Sequence, residues 1–293
     1  MGRMIKYAAT HWVPARVYLQ AIYLWKFRKP ANLKDPATLN EKILWKKLYG
    51  YAPVHTTITD KYAVREWVAE RIGGEHLIPL IAAYDSVKEL RLSRLPNSFI
   101  IKVSHGSGQN VIVYDRLFVT ERQLKHLLGR WMKQNHWYLS KEPQYKGIKP
   151  RLIVEKLLTD AGGHIPMDFK FHCFHGQVEM IQVDIDRFGD HRRNFYDVDW
   201  NLMPFTWSAW DRHGPLWPNG MILEKPAALN QMLLLARTLA QEFDYIRVDL
   251  LHCAGKVYFG ELTLHHGGGW ERFDPPSYDL FFGGKLDLKR NAK

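Results

Sequence analysis

Cysteine is nearly absent from this 293-residue chain, where Cys173 and Cys253 are the only two and lie far apart. Neither a disulfide framework nor a C-x-x-C zinc or redox site can be built from them, so a reducing compartment, the cytoplasm, is expected. Long apolar runs are missing too. The stretch from Tyr7 to Trp25 is interrupted by His11, Pro14, Arg16 and Gln20, which makes it too short and too polar to cross a bilayer. It also lacks the small-residue cleavage site of a secretory signal. There is no internal repeat, no low-complexity tract and no Gly/Ser/Pro-rich linker, which excludes repeat arrays and cleanly separated modules. Acidic residues are missing from the first 34 positions, where Arg3, Lys6, Arg16, Lys26, Arg28, Lys29 and Lys34 stand alone. Those seven account for most of the formal charge of +11, and the remainder of the chain is close to balanced. A basic balance confined to one end argues against a nucleic-acid partner.

With 46% hydrophobic and 24% charged residues, the chain can bury a substantial core. Val13, Val17, Ala21 and Leu24 predict a moderately amphipathic N-terminal helix, which either packs on the body of the protein or makes peripheral contact with a membrane through residues 1–30. In the second case the protein would sit at the inner face of the membrane. Thr38 followed by Glu41 predicts a capped helix running to Gly50. A second helix is predicted with Thr59 or Asp60 as its cap and Gly73-Gly74 as its end, then a short strand over residues 77–81. Hairpins are predicted over 99–114, 169–183 and 246–262, a strand over 151–158, and helices over 124–137 and 229–243. The segment 200–218, rich in Trp and Pro, reads as a loop. Mixed helices and hairpins imply an α+β fold.

Four groups of residues carry chemistry. Lys102 ends an apolar strand and is followed by Ser104-His105-Gly106-Ser107-Gly108, a turn whose backbone N–H groups suit phosphate oxygens; a plain hairpin is the alternative. Arg247 and Asp249 share a strand face, and a hairpin can bring Glu261 opposite them. Two carboxylates with an arginine suit nucleotide-bound Mg²⁺ or, more plainly, a cross-strand ion pair. Glu155 and Lys156 end a strand and could serve as a hinge at an adenine edge. Arg187, Arg192 and Arg193 form a fourth group, suited to carboxylate or sugar recognition or to a solvated charged loop.

Taken in order, these pieces resemble the ATP-grasp superfamily, and more narrowly its TupA-like family, linked to teichuronopeptide and other surface-polysaccharide synthesis. The resemblance rests on Asn40-Glu41-Lys42, Thr59 to Arg65, His105 to Gly108, Asp168-Phe169-Lys170-Phe171, Arg192 to Asp197 and Gly260-Glu261-Leu262-Thr263, and covers roughly residues 28 to 285. It implies two α+β subdomains that clamp ATP, with a helical region over 1–58 and an ATP-grasp domain over 59–290. A lid is expected at about 97–155 and a metal-binding, catalytic part at about 156–290. It further implies ATP and Mg²⁺ as cofactors and amide formation between a small-molecule or glycan carboxylate and an amine acceptor. Lys61 and Lys102 would hold phosphates, His105 to Gly108 would cover them, and Glu155, Lys156 and Leu158 would line the adenine site. Asp168 would take the ribose, Lys170 would face the phosphates, Asp249 and Glu261 would ligate Mg²⁺, and Arg247 would stabilise the transferred phosphoryl group. Thr263 stands where many relatives have a metal-binding Asn. His265 to Gly269 replaces the usual Pro-Gly turn, with His265 as a candidate acceptor contact.

Two rival readings remain. Asp184-x-Asp186 and Asp197-x-Asp199 match the metal motif of many glycosyltransferases, and 11 tryptophans suit a noncatalytic polysaccharide binder. The first leaves Lys102 and the Arg247/Asp249/Glu261 set unexplained, and the second needs no metal carboxylates.

Overall fold

Pro14 opens helix α1 (Ala15–Phe27) in a computed structural model that describes residues 10, 12–160, 162–187 and 189–288. Arg3, Lys6 and the start of the apolar run at Tyr7 lie outside the described residues. Helix α1 buries Tyr18, Leu19 and Tyr23 against Ala31, Leu33 and Leu44. Helix α2 (Leu39–Tyr49) begins at the predicted capping box: the Thr38 hydroxyl accepts from the Glu41 N–H, and the Glu41 carboxylate accepts from the N–H of Thr38, Ala37 and Asn32. The next helix differs from expectation. A short helix α3 (Pro53–Thr59), with Pro53 in its first turn, precedes α4 (Val64–Ile72), so Thr59 closes one helix and does not cap the other. Asp60 instead accepts the Tyr62 N–H in the connecting turn.

The described residues divide into two compact units, one of Ala52–Pro166 and one of those up to Tyr51 together with those from Met167 onward. Helices α1 and α2 belong with the C-terminal part of the chain. In the first unit β1 (Leu80–Tyr84), β2 (Phe99–Val103), β3 (Asn110–Val113) and β4 (Leu152–Glu155) form an antiparallel sheet in the order β1-β4-β2-β3. Alternation sorts its faces. Phe99, Ile101, Val103, Leu152 and Val154 pack with Leu124 and Leu128 of α5 (Glu121–Met132), which leaves Lys102 and Glu155 on the opposite face.

In the second unit β5 (Asp168–Phe174), β6 (Gln177–Ile185) and β7 (Arg192–Tyr196) are followed, within the segment expected to be a loop, by β8 (Thr206–Ser208), which pairs with residues 272–274, and by β9 (Trp210–Asp211) and β10 (Gly214–Pro215), which pair with each other. Helix α6 (Leu229–Ala240) follows, then β11 (Tyr245–Cys253), β12 (Lys256–Thr263), β13 (Arg272–Asp274) and α7 (Ser277–Lys285). The main sheet is antiparallel throughout, in the order β12-β11-β5-β6-β7. On one of its faces the side chains change character along each strand. At one end Phe174, Tyr245, Met180 and Phe195 join Leu39, Ile43 and Phe282 in an apolar core. Further along the same strands stand Asp168, Lys170, Arg247, Asp249 and Asp184.

Candidate functional site

That charged end is built by register. Asp249 pairs with Glu261 across β11–β12 and with Lys170 across β11–β5, while Arg247 pairs with Thr263 and His172. A bulge after Asp249 leaves Gly260 as the extra residue, where an added Cβ would stand 3.1 Å from the Asp249 carbonyl oxygen. Arg247 forks onto both Asp249 oxygens at 2.6 and 2.7 Å and reaches Glu261 at 3.3 Å, and the Thr263 hydroxyl donates to Glu261 at 3.1 Å. Burial alone would lower the Arg247 pKa, yet the adjacent Asp249 carboxylate raises it, so the guanidinium stays charged. Burial pushes the Asp249 carboxyl up against the pull of that guanidinium. Glu261 differs in being 44% exposed at its side chain.

Behind Arg247 lies a chain of buried ions. Its Nη1 donates to His266 Nδ1 at 2.8 Å, which makes Nε2 the protonated nitrogen that donates to Glu271 Oε2 at 3.1 Å. Burial lowers the His266 pKa to about 4, so the ring is neutral. Arg193 donates to Glu271 and to Asp184 at 2.8 and 2.9 Å, and Lys170 closes the chain on Asp184 at 2.8 Å and Asp168 at 3.2 Å. Burial would raise the Asp184 pKa, but His191, Arg193 and Lys170 together hold it far below the usual carboxylate range. His172, also neutral through burial, bridges Tyr245 and Gln182.

In the first unit Lys102 donates to Glu155 at 2.7 Å and Arg65 donates to the other oxygen of Glu155 at 2.8 Å. Glu155 is thus the buried counter-ion of two cations. The Lys61 ammonium reaches the Gly106 carbonyl at 2.8 Å, and its backbone N–H bonds Ser104, which ties it to the glycine turn. Within that turn only Ser107 and Gly108 are exposed, Gly108 at a φ of 66° that favours glycine. Lys156 is exposed and Leu158 is buried.

Several expected site residues are placed differently. Arg193 is buried and committed to Asp184, Glu271 and the Trp207 carbonyl, so it is not a substrate contact in this arrangement. Neighbours on a strand face opposite sides, which separates it from Arg192, whose guanidinium pairs with Asp190. Arg187, half exposed, pairs with Asp168 at 2.5 Å. The His105 ring is buried, its pKa lowered by burial, and turns toward the backbone of Trp131 and Gln134, so it does not lie at the tip of the turn. His265 is buried as well. The Asp-x-Asp carboxylates are engaged within the protein. Asp184 is surrounded by cations, the Asp186 carboxylate accepts the Asp190 N–H, and Asp197 accepts from the N–H of Asp199 and Asn201. Among the described residues no three His, Cys, Asp or Glu side chains converge as a metal site. Asp249 and Glu261 nonetheless supply two hard oxygen donors, the number a nucleotide-bound Mg²⁺ commonly takes from protein. His172, Gln182 and Glu271 were not anticipated, and His266 only as part of the turn from His265 to Gly269. Period-two polarity along 168–172 marks His172 as a neighbour of Lys170, whereas Glu271 carries no local signal.

Several solved structures are distantly similar. D-alanine–D-alanine ligase from Bacillus anthracis, complexed with ATP, is 15% identical over 71% of this chain and 54% of its own, with a TM-score of 0.40. The ATP-grasp ligase PsnB, with precursor, Mg and ADP, is 12% identical over 78% and 58%, with a TM-score of 0.41. Phosphoribosylamine–glycine ligase from Thermotoga maritima is 15% identical over 72% and 48%, with a TM-score of 0.39. The chain spans about half the length of these structures, and likeness this distant bears on no activity. No curated protein matches the sequence significantly. A family model described as TupA-like ATPgrasp matches residues 41–287, most of the chain and the whole of the two residue groups built above, and the protein belongs to that family.

Proposed function

We propose that this protein is an ATP-dependent carboxylate–amine ligase working through an acyl phosphate. The observation that carries the reading is the convergence of Arg247, Asp249, Glu261 and Thr263 on one face of β11–β12. In the proposed scheme Asp249 and Glu261 hold Mg²⁺, which would neutralise charge on the ATP phosphates. Arg247, fixed by Asp249 and His266, presents its guanidinium to the transferred phosphoryl group. Lys61 and Lys102 neutralise phosphate oxygens, with Ser107 and Gly108 offering backbone N–H groups. When phosphate competes for Lys102, Arg65 keeps Glu155 paired, so the switch leaves no bare buried carboxylate. Lys170 faces the phosphates, Asp168 takes the ribose, and Glu155, Lys156 and Leu158 border the adenine.

The substrate carboxylate attacks the γ-phosphorus and releases ADP. The amine then attacks the acyl phosphate, releasing phosphate and a proton. Arg187, exposed and anchored by Asp168, and Arg192 are the proposed substrate contacts. A uronic acid or amino-acid carboxylate in surface-polysaccharide synthesis is the proposed acid, on the strength of the family. The ATP requirement and two cysteines that form no disulfide favour the cytoplasm.

The test is incubation with Mg-ATP, uronic acids and amino acids, with ADP and phosphate as the readout. Acceptor-dependent ADP release is expected, and it should be lost in Glu261→Ala and Lys102→Ala variants that melt normally. UDP-sugar turnover without ATP consumption would sink the reading.

A further inference from the structure

Helix α1 has two apolar faces, and among the described residues only one is buried. Tyr18, Leu19 and Tyr23 are buried, whereas Val17, Ala21, Leu24 and Trp25, spaced i, i+4, i+7 and i+8, form a second stripe turned to solvent. Val17, Leu24 and Trp25 are 59%, 51% and 65% exposed, and Trp12 just before the helix is 87% exposed. Apolar residues of this size grouped on one helix face mark an interaction surface.

The charge around the stripe identifies the partner. Arg16, Arg28 and Lys29 are exposed beside it, the Lys26 ammonium sits 5.6 Å over the Trp25 ring, and no acidic residue occurs before Asp35. A protein partner matched to this surface would need an acidic rim around a greasy centre. A lipid surface supplies both at once, with anionic headgroups for the cations and an acyl boundary for Leu24 and the tryptophans, which favour that depth. Thirteen residues of helix span only about 20 Å, so the helix lies in the interface plane and does not cross it. Among the described residues no helix is long and apolar enough to span a membrane.

We infer that α1 is a peripheral docking element for an anionic bilayer, with Trp12, Val17, Leu24 and Trp25 inserted at the headgroup boundary and Arg16, Arg28 and Lys29 bound to headgroups. The inference is independent of the ligase reading. Its test is co-sedimentation of the full chain with vesicles of phosphatidylglycerol and phosphatidylcholine, against phosphatidylcholine alone. Binding to the anionic vesicles only, weakened by salt, is expected. Arg28→Glu/Lys29→Glu should lower partitioning at least tenfold, since one basic residue near such a surface contributes roughly fivefold. Leu24→Ser/Trp25→Ser should lower it similarly and abolish any blue shift of tryptophan fluorescence. All four positions are exposed, and unchanged melting verifies that the variants fold. Equal binding to both vesicle types, no binding to either, or full binding by both variants overturns the inference. A solution dimer that Leu24→Ser/Trp25→Ser converts to monomer would overturn it too, by assigning the stripe to a second copy of the chain.

Discussion

Arg193 shows how a residue suited to ligand recognition can serve the interior. Its guanidinium bonds Asp184 and Glu271 and stacks 4.3 Å over the Trp217 ring. Arg193→Ala would leave two buried carboxylates short of a partner, a loss that generally costs about 3–5 kcal/mol. Chemical denaturation should show that drop, whereas a surface substrate arginine would leave stability unchanged and raise KM. By contrast Arg187→Ala, at a half-exposed position, should melt like the parent and weaken only the acceptor dependence of ADP release. The Arg247, Asp249 and Glu261 group was readable in sequence because a tight hairpin fixes which residues face one another. Glu271 was not, because it enters the network from a turn whose position depends on the packing of β8, β13 and α7.

Elements with strict alternation were the most legible. The hairpins β2–β3, β5–β6 and β11–β12 and the capped α2 stand close to where their patterns predict them. The strand expected over 77–81 lies three residues later, as β1, because its place follows from pairing with β4 and not from its own apolar run. The seating of α7 on α2 is a long-range fact of the same kind. Gly283 packs so closely that an added Cβ would stand 2.1 Å from the Ala37 carbonyl oxygen, and Lys42 donates to the carbonyls of Gly283 and Leu286. Gly283→Ala should therefore force the helix off its seat and lower the melting temperature by several degrees. At Gly284 an added Cβ meets nothing. Gly284→Ala should leave melting unchanged or raise it slightly, by up to about 1 kcal/mol of helix preference.

At the scale of the molecule, acid should act first through two buried neutral histidines. His266 has a folded pKa of about 4 against an ordinary 6.5, and burial holds His172 well below that ordinary value too. Arg247 and Arg193 lie near both rings, so a proton on either meets cations as well as burial, which at His266 outweigh the pull of Glu271. The unfolded chain binds those protons more readily, so stability is full above pH 6.5 and falls as pH drops toward 4. Glu271, held down to about 2, adds a loss beginning near 4.5. Denaturation midpoints between pH 7 and 4.5 should decline, and His266→Gln should flatten that slope.

The bond between Asn40 and Asp279 joins residues 239 positions apart, and Asn40 also donates to the Glu271 carbonyl. During synthesis at about 5–20 residues per second, α2 therefore waits on the order of tens of seconds for its partner to leave the ribosome. Residues 52–166, which lie within one compact unit, are free to close in that interval, while α2, made before them, is among the last to find its place.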